Sequence, residues 1–174
     1  MADGNLMEIE SFVERVRARG DPAHEWRHIQ RLVSFCKEVG PVENADMWLL
    51  LHSAYFHGLS QRKSLIANFL KSRGYSASST QKILRTVKNS SINPRTKEER
   101  ILHDANIIDA LGATGIARGF AKGGYENQDM ATTKKAIQKC MRKRVFTNYA
   151  SAIRTQRISF MKNFFKTLKA ESRH

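Results

Sequence analysis

Apolar residues recur at helical spacing along almost the whole chain, and that periodicity decides the fold class. In residues 6–19, Leu6, Ile9, Val13 and Val16 fall three or four apart, marking one face of a helix that ends at Gly20. Asp21-Pro22 then supplies a cap and a proline at the first helical position, opening a helix over 22–39 that Gly40-Pro41 is expected to stop. Residues 44–57 are apolar nearly all round (Met47, Trp48, Leu49, Leu50, Leu51, Tyr55, Phe56), the profile of a buried central helix. Shorter amphipathic helices follow at 62–73 and 78–88, and a loop is expected at 90–95 around Pro94. A helix is expected at 97–111, then a glycine-spaced stretch at 112–120 and a break at Gly123-Gly124-Tyr125. Residues 131–170 read as one long basic helix or two in succession. No stretch alternates with the period of two that a half-buried strand needs, so the expectation is an all-α fold. With 174 residues the chain suits a single domain with a proper core.

Charge is the second constraint. The formal net charge is +14, and residues 131–174 carry twelve Lys and Arg against one acid, Glu171. A region of net +11 attracts polyanions, so a nucleic acid, RNA included, enters as a candidate partner beside a solvated basic face. No apolar run approaches the length of a membrane span, and the first residues lack the pattern of a secretory signal. Cys36 and Cys140 make neither a disulfide framework nor a CxxC pair, which fits a reducing, cytoplasmic setting. Both are expected to be small buried or half-buried residues.

Residues 24–28 read HEWRH, satisfying the H-E-x-x-H pattern of zinc peptidases. The i, i+4 spacing places His24 and His28 on one face of a helix. A peptidase also needs a third ligand and a sheet edge to hold its substrate, and this chain offers no strand. The histidines call for another context.

Four segments supply it: GDPAHEWRHIQRLV (20–33), LLLHSAYFH (49–57), VKNSSI (87–92) and ILHDANIIDALGATGIARGF (101–120). In that order they resemble the HD superfamily of metal-dependent phosphohydrolases. The similarity is to a small bacterial branch whose first helix opens D-x-x-H-[DE]-W-x-H-I-x-R-V and whose late motif reads DAD-x-LDA-[IL]-GA-x-GIAR. AIRTQRISFMKNFFKTLKAE (152–171) resembles the closing helix of that branch. The resemblance implies an HD-like helical bundle over the whole chain, 1–174, with a strongly basic region at 131–174.

It also implies a metal site. The family's ligands carry over to His28, His52, Ser53 and Asp104, so the aspartate that follows His52 in the family is a serine here. The family's N-H-S-F appears as Asn89-Ser90-Ser91-Ile92, placing Ser90 at an active-site histidine position, and the second Asp of DAD is Asn106. A carboxylate brings a donor oxygen and a full charge to a divalent ion; a serine hydroxyl brings neither charge nor strong donation. His28, His52 and Asp104 remain as a reduced set, expected to hold a divalent metal weakly or not at all. His24, His28 and Ser53 are the candidates for acid–base or nucleophilic roles. Arg27, Ser90, Asn106 and Arg118 are the candidates for substrate binding. Asp109 is expected to fix helix packing, Trp26 and Trp48 to lie in the core, and His57 and His103 to be surface or structural.

Three functions follow from these residues. The first is a degenerate HD-like protein that keeps a pocket for a phosphate-bearing small molecule or nucleic acid after losing standard hydrolysis. The second is a phosphohydrolase of nucleoside phosphates working through the residual ligands. The third is a repurposed group-transfer enzyme acting on a tRNA-like polyanion.

Overall fold

The computed structural model describes residues 2–18 and 25–172, with side chains from residue 6 onward. The expected cap at Asp21-Pro22, and His24 with it, lie outside the described residues. Nine helices and no strand are found among the described residues. No described helix is long and apolar enough to cross a membrane.

The contacts divide the described residues into two compact units, one of residues 2–18 with 25–105 and one of residues 106–172. The first contains α1 (Ala2–Arg17), α2 (Trp26–Val42), α3 (Met47–Tyr55), α4 (Lys63–Ser72) and α5 (Ala77–Ile92). Helix α6 (Lys97–Asp109) contributes residues 97–105 to this unit and 106–109 to the other. The second contains α7 (Gly112–Tyr125), α8 (Met130–Cys140) and α9 (Asn148–Glu171).

In the first unit α3 packs on α1, α2 and α5. Of the stripe read on α1, Ile9 and Val13 are fully enclosed while Leu6 and Val16 are half-buried. Ile29, Leu32 and Val39 on α2 and Leu50 and Ala54 on α3 are fully enclosed, whereas Met47, Trp48, Leu49 and Leu51 are half-buried. Each large aliphatic side chain so buried contributes roughly 1.5–3 kcal/mol. Phe12 stacks on Phe69 at 4.0 Å between ring centres and meets Phe56 edge-on at 6.5 Å, tying α1 to α4. Side chains cap α3 and α5 at their starts, where Asp46 accepts from the Leu49 N–H and Ser76 from the Ser79 N–H. In the second unit α7 packs on both α8 and α9, with Ile137, Ala150, Met161 and Phe165 buried.

Three boundaries differ from the sequence expectation. Helix α2 continues through Gly40-Pro41 to Val42. Proline in the last turn forfeits one backbone hydrogen bond, and Gly40 serves as a packing station: a Cβ there would sit 2.4 Å from Met47 Sδ. Helix α5 runs to Ile92, so Ser90 is helical rather than in a loop. Helix α7 includes the glycine-spaced stretch and runs on through Gly123-Gly124, where a break is expected. Its glycines admit α8, because a Cβ at Gly119 would lie 2.3 Å from Ile137 Cγ1 and one at Gly123 2.1 Å from Thr133 Oγ1. The basic region takes the second of its two expected forms, two helices in succession, with α9 capped by Thr147, which accepts from the Ala150 N–H at 3.2 Å.

Candidate functional site

The candidate histidines and the residues matched with them lie buried in the first unit, on α2, α3, α5 and α6. Helix α2 places His28 in full burial, and Arg27 beside it faces solvent. The His28 ring meets His57 edge-on, 5.7 Å between centres. Sequence reading left His57 without a role; it is buried just past α3, and its carbonyl accepts from the buried Arg17 guanidinium. Gly58 follows with φ +75° and lets that guanidinium approach, since a Cβ there would lie 2.9 Å from Arg17 Nη2.

His52 and Ser53 are buried side by side on α3. The Nδ1 of His52 lies 2.7 Å from the Trp48 carbonyl, four residues back on the same helix. A carbonyl only accepts, so Nδ1 carries the proton and Nε2 carries the lone pair. Tyr75 fills that lone pair: its hydroxyl lies 2.9 Å from Nε2. Trp48 lies against the imidazole at 4.4 Å and Tyr75 meets it at 5.6 Å between centres, an aromatic surround for one neutral tautomer. Burial holds the His52 pKa below its ordinary value, against the opposing pull of the Trp48 carbonyl and Asp46. Trp48 and Trp26 are half-buried rather than core, and Trp26 stacks on Tyr55 at 6.3 Å.

Ser53, at the position of the family's aspartate, is fully buried, and its Oγ has no hydrogen-bond partner among the described residues. Ser90 on α5 is buried and donates to the Val87 carbonyl at 3.0 Å. Its own carbonyl is engaged by His103 Nδ1 at 2.9 Å, giving His103 a structural place between α5 and α6. Asp104 is fully buried on α6.

Sequence reading missed the group that fixes the α5–α6 junction. Glu99 is buried, and its carboxylate accepts from Asn89 Nδ2 at 2.8 Å and the backbone N–H groups of Arg95 and Thr96 at 2.7 and 3.1 Å. Thr96 returns a bond to the Glu99 N–H, completing a capping box whose T-x-x-E signature stands in the sequence at 96–99. Burial alone would raise the Glu99 pKa. The hydrogen bonds from Arg95, Asn89 and Thr96, with the charge of Arg85, outweigh it and hold the carboxyl below its ordinary value. This junction sets where Ser90, His103 and Asp104 stand.

Of the remaining candidates, Asn106 is half-buried in the second unit. Arg118 is held within that unit by Asp109, whose side-chain carboxylate and backbone carbonyl both accept from Nη1. Asp109 thus ties the end of α6 to α7, the packing role expected of it.

A divalent metal is implied by the resemblance, and the donors can be tested against it. A metal on His52 would take Nε2, the nitrogen that a carbonyl-bonded Nδ1–H leaves open. Here the Tyr75 hydroxyl takes that place. Among the described residues no three His, Cys, Asp or Glu side chains gather closely enough to hold an ion. In this arrangement the donors do not fit a two-histidine, one-carboxylate centre. A separate cavity of about 220 Å3 in the same unit is lined by Glu10, Gln30, Lys37 and Tyr55 and includes none of the candidate residues.

No family model matches the chain. Bacillus subtilis YpgQ is 24% identical over 188 residues, covering 94% of this chain and 92% of YpgQ. The crystal structure of YpgQ in complex with ADP superposes with a TM-score of 0.85 at 24% identity, over 98% of this chain and 97% of YpgQ. An HD-superfamily hydrolase from Bacillus thuringiensis gives 0.78 at 20% identity, over 99% of each chain. A predicted HD-superfamily hydrolase from an uncultured Thermotogales bacterium gives 0.68 at 22%, over 95% of this chain and 91% of its own. These likenesses extend along the whole chain and are likenesses of fold. The chain has the HD-like all-α fold of these hydrolases.

Proposed function

We propose that this protein binds a nucleoside phosphate, free or as part of RNA, in the histidine pocket of its first unit, and that standard metal-dependent hydrolysis has been lost from that pocket. The observation that carries the reading is the hydrogen bond from Tyr75 to His52 Nε2. It assigns the lone pair a metal would use to a protein hydroxyl, so that His52 serves as a shaped wall. Ser53 supports the reading, because a buried hydroxyl lacking a partner among the described residues is a donor available to a phosphate oxygen. Replacing the family's aspartates by Ser53 and Asn106 also removes negative charge that would repel phosphate in a metal-poor site. Bacillus subtilis YpgQ, of the same fold, has been crystallised with ADP. Any divalent ion is held weakly, through His28 or Asp104.

Titration calorimetry with ADP tests this, run once in EDTA and once in millimolar manganese on the same preparation. Binding of similar strength in both buffers is the expected result, with no nucleotide turnover. Stoichiometric metal in the purified protein, together with nucleotide hydrolysis abolished by His52→Ala, would overturn it in favour of a working phosphohydrolase.

A further inference from the structure

Residues 130–170 contain eleven Lys and Arg and no acidic residue. The cations of this stretch therefore find no carboxylate within it. They are also not carried on a loose tail. Three of them, Arg142, Lys143 and Arg144, are consecutive and exposed in the connection between α8 and α9. That connection is ordered from both sides. Successive turn bonds carry it off the end of α8, from the Met141, Arg142 and Lys143 N–H groups to the carbonyls of Gln138, Lys139 and Cys140. Arg154 on α9 then grips it, donating to the Met141 carbonyl at 2.8 Å and the Lys143 carbonyl at 3.1 Å. Arg144 lies over the Phe146 ring, 5.1 Å from its centre.

From Arg154 a row spaced three residues apart runs along α9 through Arg157 to Phe160, about 9 Å at roughly 1.5 Å per residue. Phe160 is 49% exposed, unusual for a large aromatic. With Arg157, Gln156, Thr114 and Gly112 it lines a cavity of about 330 Å3 within the second unit. Gly112, at φ +74°, lets the Arg157 stem lie across the start of α7, 3.1 Å from where a Cβ would be. Arg157 in turn donates to the Ile108 carbonyl at 2.5 Å, which fixes its direction.

We infer that the second unit binds single-stranded nucleic acid, with the Arg142-Lys143-Arg144 connection on the phosphates and the Phe160 cavity taking an unstacked base. A fixed cluster of cations suits a polyphosphate backbone, and an exposed ring beside a cavity with amide and hydroxyl groups suits a nucleobase. A duplex offers no free base face, so the exposed aromatic favours a single strand. The inference rests on the reading above only for the class of partner: every residue in it belongs to the 106–172 unit.

Fluorescence anisotropy of the full chain with a labelled 20-nucleotide mixed-sequence RNA tests it, between 50 and 200 mM salt. Arg142→Ala/Lys143→Ala/Arg144→Ala is expected to weaken binding at least tenfold at low salt and to reduce the log–log salt slope by about 2. Phe160→Ala, at an exposed position, is expected to weaken binding about tenfold and leave the salt slope unchanged. Both variants should melt and bind ADP as the unaltered protein does. Undetectable or salt-insensitive RNA binding, a preference for duplex, or wild-type affinity in either variant overturns the inference. Loss of ADP binding with RNA binding intact would instead overturn the pocket reading and leave this one standing.

Discussion

Glu99→Gln and Glu99→Ala together measure how firmly the α5–α6 junction is built. The native carboxylate takes three hydrogen bonds inside a buried setting, from Asn89 and the Arg95 and Thr96 backbones. Glutamine keeps one acceptor for the two backbone donors, and Asn89 can turn its amide to offer an oxygen to the new NH2. What is lost is charge assistance, which roughly doubles the strength of such bonds, so a cost of about 1.5–3 kcal/mol is expected. Alanine leaves all three donors without their acceptor, a cost of about 3–5 kcal/mol. At about 2–4 °C per kcal/mol for a chain of this size, Glu99→Gln should melt roughly 3–12 °C lower and Glu99→Ala roughly 6–20 °C lower. Acid supplies the internal control. A carboxyl whose folded pKa lies below its ordinary 4.5 stabilises the fold above that value and loses the contribution as pH falls through the lowered one. The gap between wild type and Glu99→Gln should therefore be full at pH 7 and shrink below pH 4. Scanning calorimetry at the two pH values is the assay. Variants within 1 °C of wild type at pH 7, or a gap as wide in acid, would refute the account of the junction.

Other outcomes follow from single contacts. Tyr75→Phe leaves His52 Nε2 without its hydroxyl and should cost about 1–3 kcal/mol in denaturant melts; it should also raise nickel affinity, seen as a metal-dependent rise in Tm absent from wild type. Arg118→Ala removes an ion pair from the nearly buried Asp109 carboxylate and should cost about 1.5–3 kcal/mol, while ADP affinity measured on the folded fraction stays unchanged. Gly119→Ala drives a Cβ into Ile137 and should destabilise the second unit by about 1–3 kcal/mol, readable by hydrogen exchange in α7 and α8.

The fold was legible because apolar spacing is a local signal: Ile9 and Val13 of the stripe read on α1 and Leu50, Tyr55 and Phe56 of the apolar run read at 44–57 are buried. Helix ends were less so, since glycine and proline have two uses. At Gly40 and Gly123, both read as breaks, the missing Cβ instead admits a side chain of the next helix, Met47 and Thr133 respectively, a fact about packing partners that a local pattern does not carry. The same limit applied to the pocket. Motif order located His28, His52, Ser53 and Asp104, and all are buried. Nothing in the spacing announced Tyr75, which reaches His52 from 23 residues away and decides what its Nε2 does. Glu99 was readable through its capping box, a short local pattern passed over beside longer motifs.

Ser53 carries a consequence for how this chain balances durability against use. A hydroxyl enclosed in the core with no partner among the described residues is a cost borne by the folded state, on the order of 1 kcal/mol or more. Ser53→Ala would remove that cost at almost no change in volume, so the ligand-free protein should melt higher, not lower. A ligand that offers an acceptor recovers the same energy on arrival, and the alanine chain gives that up. The most stable version of the pocket would then be the poorer binder, a trade-off of stability against function concentrated in one oxygen atom.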